Sequence, residues 1–180
     1  MLCTCFFRSL LGRAGSETAP TTLGDYARSE PGVVQREEVQ VIRLADTADI
    51  PRIKALMKSV AGFWNESWRP DVLERALGSS ETIALVHNDR DTIDGFVCGH
   101  DVGFRAYLSE LVVSRETQGR GVGSQLVREL ERRLADRGCS ILIADVWQDA
   151  ERFYRSRGWT PPGVVLLRKR LEVRCNREDR

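Results

Sequence analysis

The chain has 180 residues, 42% of them hydrophobic, and 27 basic against 26 acidic side chains give a net charge of +1 at pH 7. That balance offers no electrostatic footprint for a polyanion, so nucleic acid is not an expected partner. No run approaches the ~18–20 apolar residues of a membrane helix, so no integral membrane segment is expected either. The length suits one domain with one core.

Cys3, Cys5, Cys98, Cys139 and Cys175 lack the spacing of a zinc site or a disulfide framework, which favours a reducing, cytoplasmic setting and no bound metal. Residues 1–38 read as an N-terminal tail: "MLCTCFFRSLLGRAGSETAP" is apolar and arginine-containing with no acid before Glu17. A poorly ordered tail, an organelle-targeting segment and a surface anchor acylated at Cys3 and Cys5 compete for it, with the tail preferred. The domain is expected over 39–174, with 175–180 a C-terminal tail.

In chain order, "VQVIRL" (Val39 to Leu44) alternates as a strand, and "DIPRIKALMKSV" starts a helix with Asp49 as cap, Pro51 in the first turn, and Ile53, Leu56, Met57 and Val60 on one face. "RPDVLERALG" repeats that pattern from Pro70 to Gly78 as a shorter helix. "TIALVH" and "DGFVCGH" flank the turn "NDRD" as an antiparallel hairpin, and "YLSELVVS" follows as another apolar strand. Then Val122, Leu126, Val127, Leu130 and Leu134 fall at helical spacing, closed by Gly138. "SILIADVW" suits a strand covered on both faces, "DAERFYRSRG" a short helix capped by Asp149, and "GVVLLRKRLEV" a final strand. Strands alternating with helices imply an α/β layered domain.

Between the strand ending near Ser114 and the long helix stands Gln118-Gly119-Arg120-Gly121-Val122-Gly123-Ser124. A glycine-rich turn at a helix N-terminus collects unpaired amides at the positive end of the helix dipole, a natural seat for phosphate oxygens. A P-loop would need lysine after the last glycine, where Ser124 stands. A Rossmann turn needs a third glycine where Ser124 again stands, after a parallel βαβ unit rather than hairpins.

The stretch instead resembles the acetyl-CoA signature of the GNAT superfamily of N-acetyltransferases, Gln/Arg-x-x-Gly-x-Gly/Ala, at Gln118, Gly121 and Gly123. "AERFYRSRGW" is similar to the family's later A-x-x-F-Y-x-x-x-G-F segment at Ala150, Phe153, Tyr154, Gly158 and Trp159. The element order also matches, over about Val39 to Val173. Where the family often has asparagine three residues before that alanine, this chain has Trp147.

The resemblance implies an α/β fold with a mixed, mostly antiparallel central sheet flanked by helices, its central parallel strands (Tyr107 to Ser114 and Ser140 to Val146) splayed. It implies an acetyl-CoA-dependent N-acetyltransferase acting on a small-molecule or peptide primary amine; a homodimer is a candidate assembly. Acetyl-CoA would sit with its pyrophosphate on the amides of Gly119, Arg120, Gly121, Val122, Gly123 and Ser124, beside Gln118. The pantetheine arm would run along Leu111, Val112 and Val113, against Phe153, and the Val113 N–H would polarise the thioester carbonyl.

Direct attack by an amine of pKa near 10.4, neutral in roughly one molecule in 2,500 at pH 7, carries a penalty of about 4.6 kcal/mol and favours a base. Glu110, a carboxylate in an apolar strand where its pKa should rise, is the candidate; the plain alternative is a salt bridge at a strand edge. Asp145 is the substitute base or an amine anchor. Tyr154 would protonate the departing thiolate, with core packing as its alternative. Trp64 and Trp68, four apart on one helical face near Glu66 and Asp71, would shape the acceptor site, and an acidic rim would favour polycationic amines. His87 and His100 read as structural. The alternative function is a non-catalytic acyl-CoA sensor or interaction module.

Overall fold

The computed structural model describes residues 41–89, 92–169 and 171. The expected tails, Cys3, Cys5, Cys175 and the tip of the "NDRD" turn therefore lie outside the described residues.

Five strands form one sheet in the order β1-β2-β3-β4-β5. They are β1 (Val41–Leu44), β2 (Thr82–Asp89), β3 (Thr92–Asp101), β4 (Ala106–Val113) and β5 (Leu142–Ile143). The first four pair antiparallel, and only β4 and β5 are parallel. The helices are α1 (Ile50–Ser59), α2 (Val72–Leu77), α3 (Val122–Asp136) and α4 (Glu151–Arg155). The expected mixed, mostly antiparallel sheet flanked by helices is thus the observed architecture.

Each sheet face has its own core. Ile53, Leu56, Met57, Phe63 and Leu73 from the α1/α2 side pack on Ala84, Phe96 and Val112. On the other side Leu126, Val127, Leu130 and Leu134 of α3, with Phe153 and Tyr154 of α4, pack on Leu85, Val97, Leu108 and Leu111. With a helix on each face, β2 and β3 are buried almost end to end, which is why their sequences read as apolar runs rather than alternations. Burying one such Leu or Val contributes at most ~1.5–3 kcal/mol.

Two glycines let α3 come down onto β3. A Cβ on Gly95 would stand 2.8 Å from both Leu126 Cδ1 and Val122 Cγ1, and one on Gly99 would stand 2.9 Å from Leu130 Cδ1. Beneath the first turn of α3, fully buried His87 holds Asp94 through Nδ1 at 2.5 Å, which bears out a structural role for that histidine.

At the start of α1 the cap is displaced. Asp46 accepts from the amides of Ala48 (2.8 Å) and Asp49 (3.2 Å), while the Asp49 carboxylate returns to the Asp46 N–H and binds Arg43 and Arg52. Asp49 therefore belongs to a capping box over a short 3-10 turn, Thr47–Asp49, rather than capping α1 with its own side chain. The Arg43 hydrogen bond holds this carboxyl far below the usual carboxylate range. α4 likewise starts after Ala150, with no side-chain cap from Asp149.

The last expected strand does not form among the described residues. Beyond Pro161 and Pro162 the described residues, 163–169 and 171, form no regular structure, and Val165 and Leu167 are 82% and 86% exposed. The cause is the missing edge: β5 spans only 2 residues instead of Ser140 to Val146, and the two prolines bring no amide donors to extend it.

Candidate active site

The turn between β4 and α3 closes on itself before the helix begins. Ser114 O accepts from the amides of Thr117 (3.1 Å) and Gln118 (3.0 Å). Gly119 and Gly121 then take φ of 82° and 90°, the left-handed region that other residues enter at a cost of about 1–2 kcal/mol. Gly121 is the N-cap of α3, and no side chain caps the helix. The first intrahelical bond of α3 is Gln125 N–H to Gly121 O at 3.0 Å, so by helix geometry the amides of Val122, Gly123 and Ser124 have no intrahelical acceptor.

These amides open onto a small concavity of about 100 Å³ lined by Val113, Gln118, Gly119, Gly121, Gly123 and Ser124, with Phe153 and Arg157 as its far wall. Gly123 packs close; a Cβ there would meet Val113 at 3.4 Å and Phe153 at 3.5 Å. Arg157 was not apparent from the sequence. Its guanidinium lies 3.7 Å over the Phe153 ring and donates to Phe153 O and Ser124 Oγ. Burial lowers its pKa, though arginine keeps its charge. Arg120, whose amide the resemblance placed on the pyrophosphate, is exposed and outside this lining, with its N–H donated to Thr117 O at 3.2 Å. Amides, two left-handed glycines and one tethered cation make a donor set that fits a diphosphate.

β4 connects this cradle to a second site. It pairs with β5 only at Ala106↔Leu142 and Tyr107↔Ile143, after which the strands part, as the expected splay requires. On its other side the Ser114 N–H bonds Asp94 O of β3 at 2.7 Å. Because an antiparallel ladder alternates, the N–H groups of Leu111 and Val113 point away from β3, into the opening. Gln118 caps the Val113 carbonyl through Nε2 at 3.1 Å.

The ladder also slips by one residue. Cys98 faces Glu110 whereas Gly99 faces Leu108, leaving Ser109 as the extra residue of a β-bulge. Two successive polar side chains, Ser109 and Glu110, thereby share the α1/α2 side of the sheet. There they line a cavity of about 400 Å³ with Met57, Trp68, Phe96 and Cys98. His100, read from the sequence as structural, also lines this cavity: its Nδ1 pairs with Thr82 Oγ1 at 2.8 Å and its Nε2 with Ser109 Oγ at 2.9 Å. Burial lowers its pKa, favouring the neutral imidazole. No sequence signal pointed to it, since the histidine and the serine meet only through strand register. The Cys98 thiol is pushed up to about 12, chiefly by burial, with the Glu110 charge adding to the effect. It is no nucleophile at neutral pH.

The remaining expected residues are divided. Trp68 lines the cavity, but Trp64 stands edge-on behind it at 5.3 Å, and both lie in turns rather than on a helical face. Lys54 and Lys58 stand over the Trp64 ring at 5.2 and 5.4 Å. Glu66 pairs with Lys58 at 3.5 Å outside the cavity. The rim is not acidic: it carries Arg69 and Arg75, both 3.7 Å from Asp71. Asp145 accepts the Tyr107 hydroxyl, tying the two parallel strands together near where they diverge. Tyr154 is buried, edge-on to Phe153 and Trp159, and faces Ala144 and Val146 beyond β5, whereas its neighbour Phe153 faces the cradle. Among the described residues no cluster of His, Cys, Asp and Glu is placed to hold a metal, and no helix is long and apolar enough to cross a membrane.

Residues 50–159 match the model of the acetyltransferase (GNAT) family, and the chain belongs to that family. An acetyltransferase of Yersinia pestis (strain Pestoides F) is 32% identical over 114 residues, 61% of this chain and 79% of its own. Among solved structures, the aminoglycoside N-acetyltransferase AAC(6')-Iy with CoA superposes with a TM-score of 0.64 at 18% identity, over 77% of this chain and 100% of that one. Glucosamine-6-phosphate N-acetyltransferase from Arabidopsis thaliana gives 0.59 at 16% identity, over 73% and 99%. The two structures share the fold.

Proposed function

We propose that this protein is an N-acetyltransferase that moves an acetyl group from acetyl-CoA to a primary amine by direct attack. One observation carries the reading: the Leu111 and Val113 amides face the opening between β4 and β5, while Glu110, the residue just before Leu111, lines the cavity on the α1/α2 side of the sheet. Acetyl-CoA supplies the activated thioester. The amides of Gly119 and Gly121 in the turn, those of Val122, Gly123 and Ser124 at the start of α3, and the Arg157 guanidinium hold its diphosphate, while the Arg120 N–H is turned inward to Thr117 O at 3.2 Å. The backbone of Leu111, Val112 and Val113 takes the pantetheine as an added strand, with Phe153 against it.

The Val113 N–H polarises the thioester carbonyl, a role worth about 3 kcal/mol for one well-placed donor. As the N–C bond forms and the C–S bond breaks, Glu110 takes the proton lost by the amine and Tyr154 returns one to the sulfur. The high pKa of Cys98 supports direct attack over a cysteine-bound intermediate. The family's activity and the curated acetyltransferase relatives support acetyl as the group transferred.

The test is CoA release from acetyl-CoA over a panel of primary amines, with calorimetry of acetyl-CoA binding. Micromolar binding with turnover on at least one amine is the expected result. Binding without turnover on any acceptor would make the protein an acyl-CoA sensor, and unaltered rates in both Glu110→Gln and Tyr154→Phe would remove the catalytic assignments.

A further inference from the structure

We infer that the acceptor is a compact apolar primary amine carrying an anionic group at its far end, rather than a polycation such as an aminoglycoside or polyamine. This rests on the reading of the Glu110 cavity as the acceptor site, and it names the substrate class of that site. The cavity of about 400 Å³ is at the small end of the ~300–1,000 Å³ of small-molecule sites. Its walls are Met57, Trp68, Leu73, Phe96 and Cys98, which favour an aryl or alkyl body.

Charge is distributed unevenly within it. Among the lining residues Glu110 is the one carboxylate, and it sits on β4 beside the amides that face the thioester. The cationic groups are Arg69 and Arg75, at the α2 end and 60% or more exposed. Asp71 stands 3.7 Å from each and offsets one of the two charges, so the mouth carries about one net positive charge. An amine drawn to Glu110 thus leaves its distal end under guanidinium groups. A second ammonium there meets repulsion, whereas a carboxylate or phosphate meets two forked donors. The neutral His100, held between Thr82 and Ser109, adds no opposing charge. A polycation would need several carboxylates along the cavity, and the described lining supplies one.

Three matched amines test this: phenethylamine, its para-carboxylate derivative and p-xylylenediamine. Binding is followed by tryptophan fluorescence with CoA present, and kcat/KM by CoA release with acetyl-CoA. The carboxylate compound is expected to bind about three- to tenfold tighter than phenethylamine at low salt, and the diamine more weakly than either. That advantage should shrink as salt screens the exposed rim. In the Arg69→Gln, Arg75→Gln double variant the ratio between carboxylate and neutral amine should fall to about one. Preference for the neutral or dicationic amine, a ratio unmoved by the double variant, or no binding by any of the three overturns the inference. Turnover with the opposite preference would leave the acetyl transfer standing. The expected binding order without CoA release from any amine would instead sink the transfer reading and leave the selectivity intact.

Discussion

The two faces of the sheet are built by different means. Under α3 the site is made of backbone: glycines in left-handed geometry, helix amides and a strand edge, all between Val113 and Ser124. Under α1 and α2 it is made of side chains from distant parts of the chain, with Trp68, Cys98, His100 and Glu110 gathered by packing and register. A backbone site tolerates almost any sequence that keeps its dihedrals, so it is shared across a family, whereas a side-chain site can be rewritten residue by residue. Under the proposed function, the first face would hold the coenzyme and the second would select the amine.

Variants that strike one face and spare the other sharpen that division. The largest effect is expected from Glu110→Gln: kcat/KM for the best amine should fall about a hundredfold or more, with the acetyl-CoA dissociation constant by calorimetry unchanged. Gly95→Val attacks the seam between the faces. It drives two methyls into Val122 and Leu126, should cost about 2–3 kcal/mol in urea unfolding, and should weaken acetyl-CoA by tilting the first turn of α3.

Asp49→Ala leaves Arg43 and Arg52 without their shared carboxylate at the start of the acceptor-side helix, at a cost of about 2 kcal/mol near pH 7. Because the folded-state pKa of Asp49 is depressed, that stabilisation is complete above the unfolded value of about 3.9 and is lost as pH falls below it. Urea midpoints of the wild type and the variant should therefore converge in acid, and a constant gap from pH 7 to pH 2 would refute the assignment. The smallest change is expected from Arg157→Gln, with acetyl-CoA affinity reduced about tenfold and amine KM unaltered. Equal losses on both sides would mean that the faces are not separable.

The same division explains what could be read from sequence. The periodicity of Val122, Leu126, Leu130 and Leu134 and the spacing of Gln118, Gly121 and Gly123 place α3 and its cradle directly, because backbone geometry writes itself into glycine positions and helical period. Glu110 stood out as a charge in an apolar strand. His100 did not, since its partner Ser109 is brought opposite by a bulge that no local pattern announces. Arg157 lay just beyond the Phe153–Tyr154 motif, but its tether to Ser124 spans 33 positions of sequence. Of the arginine rim, Arg69 lies in the irregular segment between α1 and α2, where no period exists to aim a side chain, and Arg75 lies on α2, too short a helix for its period to single out one exposed arginine. The "GVVLLRKRLEV" run had the composition of a strand, but its described residues join no sheet, since β5 spans only 2 residues.

Ser109 has a consequence for how such a protein can diversify. As the surplus member of a strand whose register is restored on either side, it can be lost, or replaced by any residue, without sliding Leu111 and Val113 along the sheet. The Leu111–Val113 backbone stays fixed while the neighbouring wall gains or sheds a functional group, so under the proposed function new acceptors would become reachable through a change of one residue in length.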